Sequence, residues 1–433
     1  VKRVAVVGSG IAGLAAARAL SRHVRVTLYE AGDHFGGHAH TVDVTHGGRS
    51  HGVDTGFLVF NERTYPGLIA LFAELGVETA RSEMSFSAQV PDAGIEWGGS
   101  SLGSVFAQRA NLLRPAFLRM LADVIRFNRV ATALATGNDR VVANDDSVGD
   151  FLDAHRFSTA FRDWYFLPMI GCIWSCPTEQ MLRFPVATLL RFCHNHGLLQ
   201  IADRPQWYTV RDGSRAYVTK MLASIADARL NAPVRRVRRL PIGGADVTTD
   251  RGTERFDAVV LAAHSDQSLA LLADATNDER EVLGAIRFQA NRAILHTDIR
   301  ELPRRKAAWA AWNYERAQSP GDADPAVCLH YLINRLQPLP FDTPVIVSLN
   351  PIREPDAASV HGEFHYAHPV FDRRALTAQK RLPGLQGQAD TWFCGAWTGY
   401  GFHEDGLASG LDVAAGLIAS LARPSHAPTP ERA

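Results

Sequence analysis

Six residues near the start of the chain, Gly8-Ser9-Gly10-Ile11-Ala12-Gly13, have the spacing of a diphosphate-binding turn. They follow RVAVV at 3–7, which reads as a buried parallel strand, and precede LAAARALSR, which reads as a helix. VRVTLY at 24–29 reads as the next strand and ends at Glu30. In such a βαβ unit each glycine has its own task. Gly8 makes the tight turn, Gly10 lets a pyrophosphate reach the backbone, and Gly13 lets the helix lie close on the strand. The anion then meets free N–H groups at the positive end of a helix. Glu30, with Ala31 after it, is placed to accept hydrogen bonds from the adenosine ribose hydroxyls, and its charge disfavours a 2′-phosphate. The candidate residues here are Gly8, Ser9, Gly10, Ala12, Gly13, Glu30 and Ala31. They predict a dinucleotide without separating a nicotinamide from a flavin.

The segment after Glu30, AGDHFGGHAHT, adds a second glycine pair, Gly36-Gly37. With it the sequence resembles the flavin amine oxidase and phytoene desaturase superfamily, whose members carry Glu, then Gly-Gly, then usually Arg and later Thr. Here His38 stands where Arg is common, and Thr41 is kept. The resemblance implies FAD as cofactor, with Gly37 and His38 beside it, and it runs along nearly the whole chain. Val53-Asp54-Thr55-Gly56 matches the segment that passes the isoalloxazine, which implicates Thr55 and Gly56. Ala232-Pro233-Val234-Arg235-Arg236-Val237, then VTTDRG and FDAVVLAAH, match a β-meander whose first strand offers backbone atoms to the adenine, here at Val234. That run returns to the main sheet at Ala262 and Ala263. Phe393-Cys394-Gly395 matches a strand end that leads, after a loop, to a glycine opening a helix, Gly406. By the resemblance, that helix N-terminus points at the flavin N1–C2=O edge, where negative charge appears on reduction. Many members place an acid directly after the strand glycine. Ala396 stands there, which leaves Glu404 or Asp405 to substitute. Gly395, Asp405, Gly406 and Leu407 complete the expected cofactor set.

Amine oxidases of this superfamily keep a lysine near the flavin N5. The matching stretch puts Arg292 in that slot, and the four lysines, Lys2, Lys220, Lys306 and Lys380, lie elsewhere. A fixed guanidinium cannot deprotonate usefully and would repel a protonated amine. The competing reading is that Arg292 is a surface strand residue. His403 and Tyr400, in the loop before Gly406, are the other catalytic candidates, and His403 has a side chain that titrates near neutrality. Phe57, Trp312 and Tyr314 are candidates to line a substrate channel, with Phe60 and Trp309 nearby in type. HTDIRELPRRKAAWAAWNY and FCGAWTGYGFHEDGLASG resemble a narrower bacterial set of NAD/FAD-binding proteins, often encoded beside methyltransferases similar to cyclopropane fatty acyl synthase. That resemblance implies an acyl-chain substrate. The expected activity is therefore a FAD-dependent oxidoreductase taking hydride from an apolar lipid as desaturase or oxidase, with an acceptor such as dioxygen. An amine or amino-acid oxidase and a redox-neutral double-bond isomerase are the alternatives.

Positioning these residues requires an α/β fold: a Rossmann-type FAD-binding domain interleaved with a mixed α+β substrate domain. The pieces predict FAD-binding segments at 1–75, 200–270 and 385–425, substrate-domain segments at 76–199 and 271–384, and a flexible tail at 426–433. The length of 433 residues fits such a composite. With 45 basic and 45 acidic residues, the chain has no global attraction to nucleic acid. Five cysteines, an odd number, argue against a disulfide framework. His194 and His196 lack a second ligand pair with metal-site spacing, so the expectation is no metal. The N-terminal stretch mimics a signal peptide, but its glycines and the charged strand after it argue against one, and Val1 fits an alternative start or trimming. The expected place is the cytoplasm. From Ser101 to Thr136, Arg109, Arg114, Arg119, Arg126 and Arg129 stand against one acid, Asp123. Such a stretch can rest peripherally on an anionic inner-membrane surface; a core-packed helix pair broken at Pro115 is the competing reading.

Overall fold

The computed structural model describes residues 1–137, 146–175, 177–200, 204–316 and 327–422. The expected tail at 426–433 lies outside them. The chain forms two compact units: 1–37, 217–286 and the segment from 377 make one, and 38–216 with 287–376 make the other.

The first unit holds a five-stranded parallel sheet in the order Asp227–Arg229, Arg25–Tyr29, Arg3–Val7, Ala258–Leu261, Thr391–Phe393. The Arg3–Val7 strand is central, and Val4, Ala5 and Val6 are fully buried. A near-continuous apolar run is what a strand covered on both faces needs. Val234–Arg239, Ala245–Thr249 and Gly252–Phe256 form the expected antiparallel meander. The helix Ile11–Leu20 starts three residues before the LAAARALSR run. It packs against the helix His403–Leu421 at backbone distance. A Cβ on Gly406 would stand 2.7 Å from Ile11 Cγ2, and one on Gly410 would stand 2.2 Å from the Ala12 carbonyl oxygen. Gly406 therefore does not open its helix, contrary to expectation. His403 does, and Gly406 is needed one turn in because the neighbouring helix leaves no room for a side chain.

The second unit is built on a seven-stranded sheet ordered Val360–Val370, Arg287–His296, Ile346–Leu349, Cys328–Leu332, Trp312–Glu315, Phe86–Val90, Ile95–Gly98. All neighbours are antiparallel except Trp312–Glu315 with Phe86–Val90. The hairpin Thr41–His46/Arg49–Asp54 and a small sheet of Phe60–Asn61, Trp207–Val210 and Thr79–Ser82 belong to this unit. The unit borders thus differ from the expected 75 and 200. Residues 38–75 and 200–216 fall in the second unit because Phe60–Asn61 pairs with Trp207–Val210, and the hairpin is pinned to Ser214 and Gln337 through Asp54.

Pro115 interrupts the basic stretch as expected, by starting a helix, Pro115–Thr136. Phe117, Met120, Phe127 and Ala131 make its buried face. Its one acid, Asp123, accepts from Arg126 at 2.9 Å and from the Ser158 N–H at 3.0 Å. The four described cysteines, Cys172, Cys193, Cys328 and Cys394, are buried and free. Among the described residues no helix is long and apolar enough to cross a membrane.

Candidate functional site

In the first unit the strand Arg3–Val7 delivers Gly8 with φ +103°, which lets its amide donate to the Tyr29 carbonyl at 2.9 Å. A Cβ on Gly13 would lie 1.9 Å from the Gly8 carbonyl oxygen, so helix and turn touch there. Gly10 is different. A Cβ added to it would meet nothing within 4 Å, so the backbone at the helix N-terminus faces open space. That is the cradle a diphosphate requires. Glu30 lies at its rim. Its Oε2 accepts from the Ser9 N–H at 3.0 Å and the Ser9 hydroxyl at 2.5 Å, and its Oε1 from the Gly32 N–H at 2.8 Å. Gly36 donates to the Ser9 carbonyl at 3.1 Å, which draws the second glycine pair onto the first turn; a Cβ on Gly37 would lie 3.1 Å from Gly10 Cα. Ala31 follows Glu30, and Val234 begins the meander with its side chain buried. Ala262 donates to the Val7 carbonyl at 2.8 Å and closes the floor under Gly8. These residues fit FAD's adenosine diphosphate half.

A second helix N-terminus ends the same unit. Gly395 is held by the Ser409 hydroxyl, 3.0 Å from its amide. Asp405, in the first turn of the His403–Leu421 helix, accepts from the Tyr400 N–H at 3.1 Å and the Phe402 N–H at 2.9 Å. Burial pushes its carboxyl up to about 6, and those two N–H groups oppose the rise. Asp405 thus shapes the 400–402 loop, and Leu407 is buried behind it. His403 Nε2 lies 2.7 Å from the Tyr217 hydroxyl, and loss of water pulls its pKa down to about 3. The ring is neutral at physiological pH, a hydrogen-bonding group rather than a ready acid. Cys394 is buried with its thiol pushed up to about 12, which leaves it unreactive.

The second unit carries a cluster that the sequence reading did not assemble. The Val360–Val370 strand presents Phe364, Tyr366 and His368 at alternate positions, on one face. The Tyr366 hydroxyl lies 2.6 Å from Thr55 Oγ1 and 3.1 Å from His40 Nδ1. The His38 ring sits 5.0 Å from Tyr366 and 5.3 Å from His368, centroid to centroid. The Asn291 amide donates to His368 Nδ1 at 3.0 Å. Burial pushes Tyr366 up to about 12, so it keeps its proton. Gly56 lies against His38: a Cβ there would be 2.3 Å from the His38 carbonyl oxygen. Beneath this, the buried Asp54 carboxylate accepts from the hydroxyls of Thr41 (2.6 Å) and Ser214 (2.7 Å) and from Gln337 Nε2 (3.1 Å). The signal for Tyr366 and His368 was the period-two run FHYAH; their partners lie too far along the chain for spacing to show.

Arg292 does not join that cluster. Its guanidinium pairs with Glu354 at 2.5 and 3.0 Å and with Glu363 at 2.8 Å. Phe57 is buried; Tyr314 is buried with its hydroxyl pKa raised by loss of water. Trp312 packs edge-on to Tyr331 at 4.9 Å, and its indole N–H has no hydrogen-bond partner among the described residues. Trp309, by contrast, packs on a core cluster and donates to the Pro303 carbonyl at 2.7 Å. His194 and His196 fall at the end of the helix Val186–Asn195, where His196 stacks on Phe192. This unit also contains a cavity of about 120 Å³. Ile170, Trp174, Met181, Phe184, Val370 and Phe371 form apolar walls, and Arg183, Arg287 and Asp372 stand among its polar lining.

The family model for flavin containing amine oxidoreductases matches residues 11–292. The chain is 32% identical over 286 residues to the carotenoid phi-ring synthase of Streptomyces griseus, covering 60% of this chain and 52% of that protein. It is 30% identical over 273 residues to AofH of Mycobacterium tuberculosis, named as a flavin-containing monoamine oxidase, covering 60% and 56%. The chain thus spans about half the length of these curated relatives. Its fold matches that of a CLA-producing fatty acid isomerase from P. acnes, with a TM-score of 0.66 at 18% identity over 96% of this chain and 98% of that one. The match over 11–292 begins inside the glycine turn whose geometry fits a dinucleotide, and with it the chain belongs to the flavin containing amine oxidoreductases, FAD-dependent oxidoreductases of α/β fold.

Proposed function

We propose that the chain takes hydride from an apolar, acyl-type lipid as a desaturase or oxidase and passes the electrons to an acceptor such as dioxygen. FAD supplies the hydride acceptor. In this reading the Gly8–Gly13 turn and Gly37 hold the diphosphate, Glu30 the ribose and the Val234 backbone the adenine. The N-terminus of the His403 helix would favour negative charge on a flavin bound beside it, and a neutral His403 and Tyr400 would offer it hydrogen bonds. Gly395, Asp405, Gly406 and Leu407 shape that end. His38, Thr55 and Gly56 are assigned to the flavin, with Tyr366 a protonated hydroxyl beside Thr55. Phe57, Trp312 and Tyr314, the substrate candidates from the sequence, do not line the cavity of the second unit, which takes over that role.

The cavity in the second unit carries the substrate half of the reading. Apolar walls suit an acyl chain, and the Arg183 and Arg287 heads suit its carboxylate. The name of the Streptomyces relative, a carotenoid phi-ring synthase, supports an apolar substrate here. The name of AofH favours the second reading, an amine oxidase.

Anaerobic mixing of the purified flavoprotein with unsaturated fatty acids, phospholipids and a panel of simple amines separates them. Loss of the visible flavin absorbance with lipid and not with amines is expected; robust turnover of any amine overturns the lipid assignment. A product of unchanged mass without electron transfer would move the chain to double-bond isomerisation. Peripheral contact with an anionic membrane belongs to the same proposal. Leu102 (79% exposed), Leu113 (87%) and Ile125 (52%) stand out to solvent in the stretch that holds Arg109, Arg114 and Arg119. Co-sedimentation with liposomes should rise with anionic lipid content.

A further inference from the structure

The seven-stranded sheet of the second unit carries a row of buried polar side chains that the flavin reading does not use. Cys328 and His330 lie two apart in the strand Cys328–Leu332 and so share a face. Glu315 is directly opposite Cys328 in the neighbouring strand, and Ser348 directly opposite His330 in the other. The exposures are 1% for Cys328, 0% for His330 and 4% for Glu315. His330 Nε2 lies 3.3 Å from Cys328 Sγ and 3.3 Å from Glu315 Oε2. One ligand atom from each of the three lies within 4.8 Å of the others.

A second observation comes from a different part of the chain. Glu301, in the turn Ile299–Glu301, is 1% exposed, and its Oε2 has no hydrogen-bond partner among the described residues. That oxygen lies 4.0 Å from His330 Nε2. A buried carboxylate oxygen left without a hydrogen bond is costly, and this one lies beside the His330 imidazole.

We propose that Glu301, Glu315, Cys328 and His330 bind a zinc ion. Thiolate, imidazole and carboxylate are the donors zinc takes, and bond lengths of about 2.0–2.3 Å in a tetrahedron place donor atoms roughly 3.3–3.8 Å apart. The 3.3 Å separations of His330 Nε2 from Cys328 Sγ and Glu315 Oε2 match that shell. Glu301 Oε2, 4.0 Å from the same nitrogen, has to swing inward to complete it. The outer groups fit as well. Ser348 Oγ lies 2.7 Å from His330 Nδ1, so it can accept that N–H and leave Nε2 for the metal. Arg353, 3.0 Å from Glu315 and 3.6 Å from Glu301, balances the negative charge that the dication leaves over. Four protein donors fill the shell, which makes the site structural: it ties the Glu301 turn to two sheet strands.

The test uses the full flavin-loaded chain, stripped with a chelator and titrated with zinc or cobalt. Expected are one equivalent bound per chain, a near-ultraviolet thiolate-to-cobalt absorption, and protection of Cys328 from thiol reagents by zinc. Cys328→Ser and His330→Gln should weaken zinc binding ~10-fold or more while flavin content stays the same. A wild-type protein that shows no thiolate-to-cobalt band with excess cobalt overturns the proposal, whether or not the variants fold. His330 would then be a protonated ring between two glutamates. Zinc binding equally tight in wild type and both folded variants overturns it too.

Discussion

Asn291 and Arg292 are neighbours in one strand and face opposite ways: the Asn291 amide reaches His368 at 3.0 Å, while Arg292 is taken up by Glu354 and Glu363. Exposed ion pairs of this kind contribute little, about 0–1 kcal/mol. Arg292→Ala should therefore leave the rate of flavin reduction within ~2-fold and cost less than about 1 kcal/mol of stability. His368→Ala should slow reduction ~10-fold or more, because it removes a ring packed beside His38. Stopped-flow reduction with an active substrate decides; the opposite ranking would put Arg292 back in the site.

Gly10 and Gly13 should separate binding from folding. Gly10→Glu meets no protein atom with its Cβ, so the chain should fold, yet its carboxylate would sit where the diphosphate goes. Flavin-to-protein absorbance should drop to near zero with native circular dichroism. Gly13→Ala puts a Cβ 1.9 Å from the Gly8 carbonyl and should lower the melting temperature of the apoprotein itself. Stoichiometric FAD in Gly10→Glu would refute the site.

His403 should not titrate near neutrality. Loss of water lowers its pKa from 6.5 to about 3 in the folded chain. The unfolded chain binds a proton below 6.5 that the native ring refuses, so this group's contribution is intact above 6.5 and stability falls as pH drops toward 3. NMR titration, assigned with His403→Gln, should show a flat resonance from about pH 5 to 8. Tyr217→Phe removes the hydroxyl beside it and should cost about 0.5–1.5 kcal/mol in urea denaturation.

Asp54 has the opposite sign. Burial raises its pKa from 3.8 to about 6, against hydrogen bonds from Thr41 and Ser214 that favour the carboxylate. The native form holds its proton longer than the unfolded chain, so this group's contribution is full below 3.8 and is lost as pH rises through about 6. Asp54→Asn should flatten that part of the stability profile. It should also cost about 1–3 kcal/mol, since an amide faces the Ser214 N–H and Gln337 Nε2 with donors of its own.

Arg287 lines the apolar cavity and pairs with Asp372 at 3.2 Å. If a carboxylate head docks there, Arg287→Ala should raise the apparent KM for a free fatty acid ~10-fold, about 1.4 kcal/mol, with kcat little changed. The methyl ester of the same acid should show no such change. Equal effects on acid and ester would remove the cavity from the substrate path.

Much of the unit that holds the glycine turn was legible because its signals are local. Gly8 to Glu30 lie in one βαβ stretch, and the strands Arg3–Val7 and Arg25–Tyr29 follow from unbroken apolar runs. The meander from Val234 and the return to the sheet at Ala258–Leu261 were readable for the same reason. Tyr366 was not. Its hydroxyl meets Thr55 across 311 positions of sequence, and no periodicity joins two residues so far apart. The placement of Arg292 turned on strand parity, where an error of one residue exchanges the two faces of the sheet. Residues 38–75 cluster with the second unit for a related reason: the partner of Phe60–Asn61 is Trp207–Val210, far down the chain.

The fit of Gly406 and Gly410 against Ile11 and Ala12 makes the glycine turn depend on a helix from the far end of the described chain. The helix that braces the glycine turn lies far beyond it in the sequence, after every other described element. A chain that ends before His403 has the turn and lacks its brace. A chain cut before His403 should therefore hold FAD less tightly than one that carries the helix, a difference that flavin titration of the two would read.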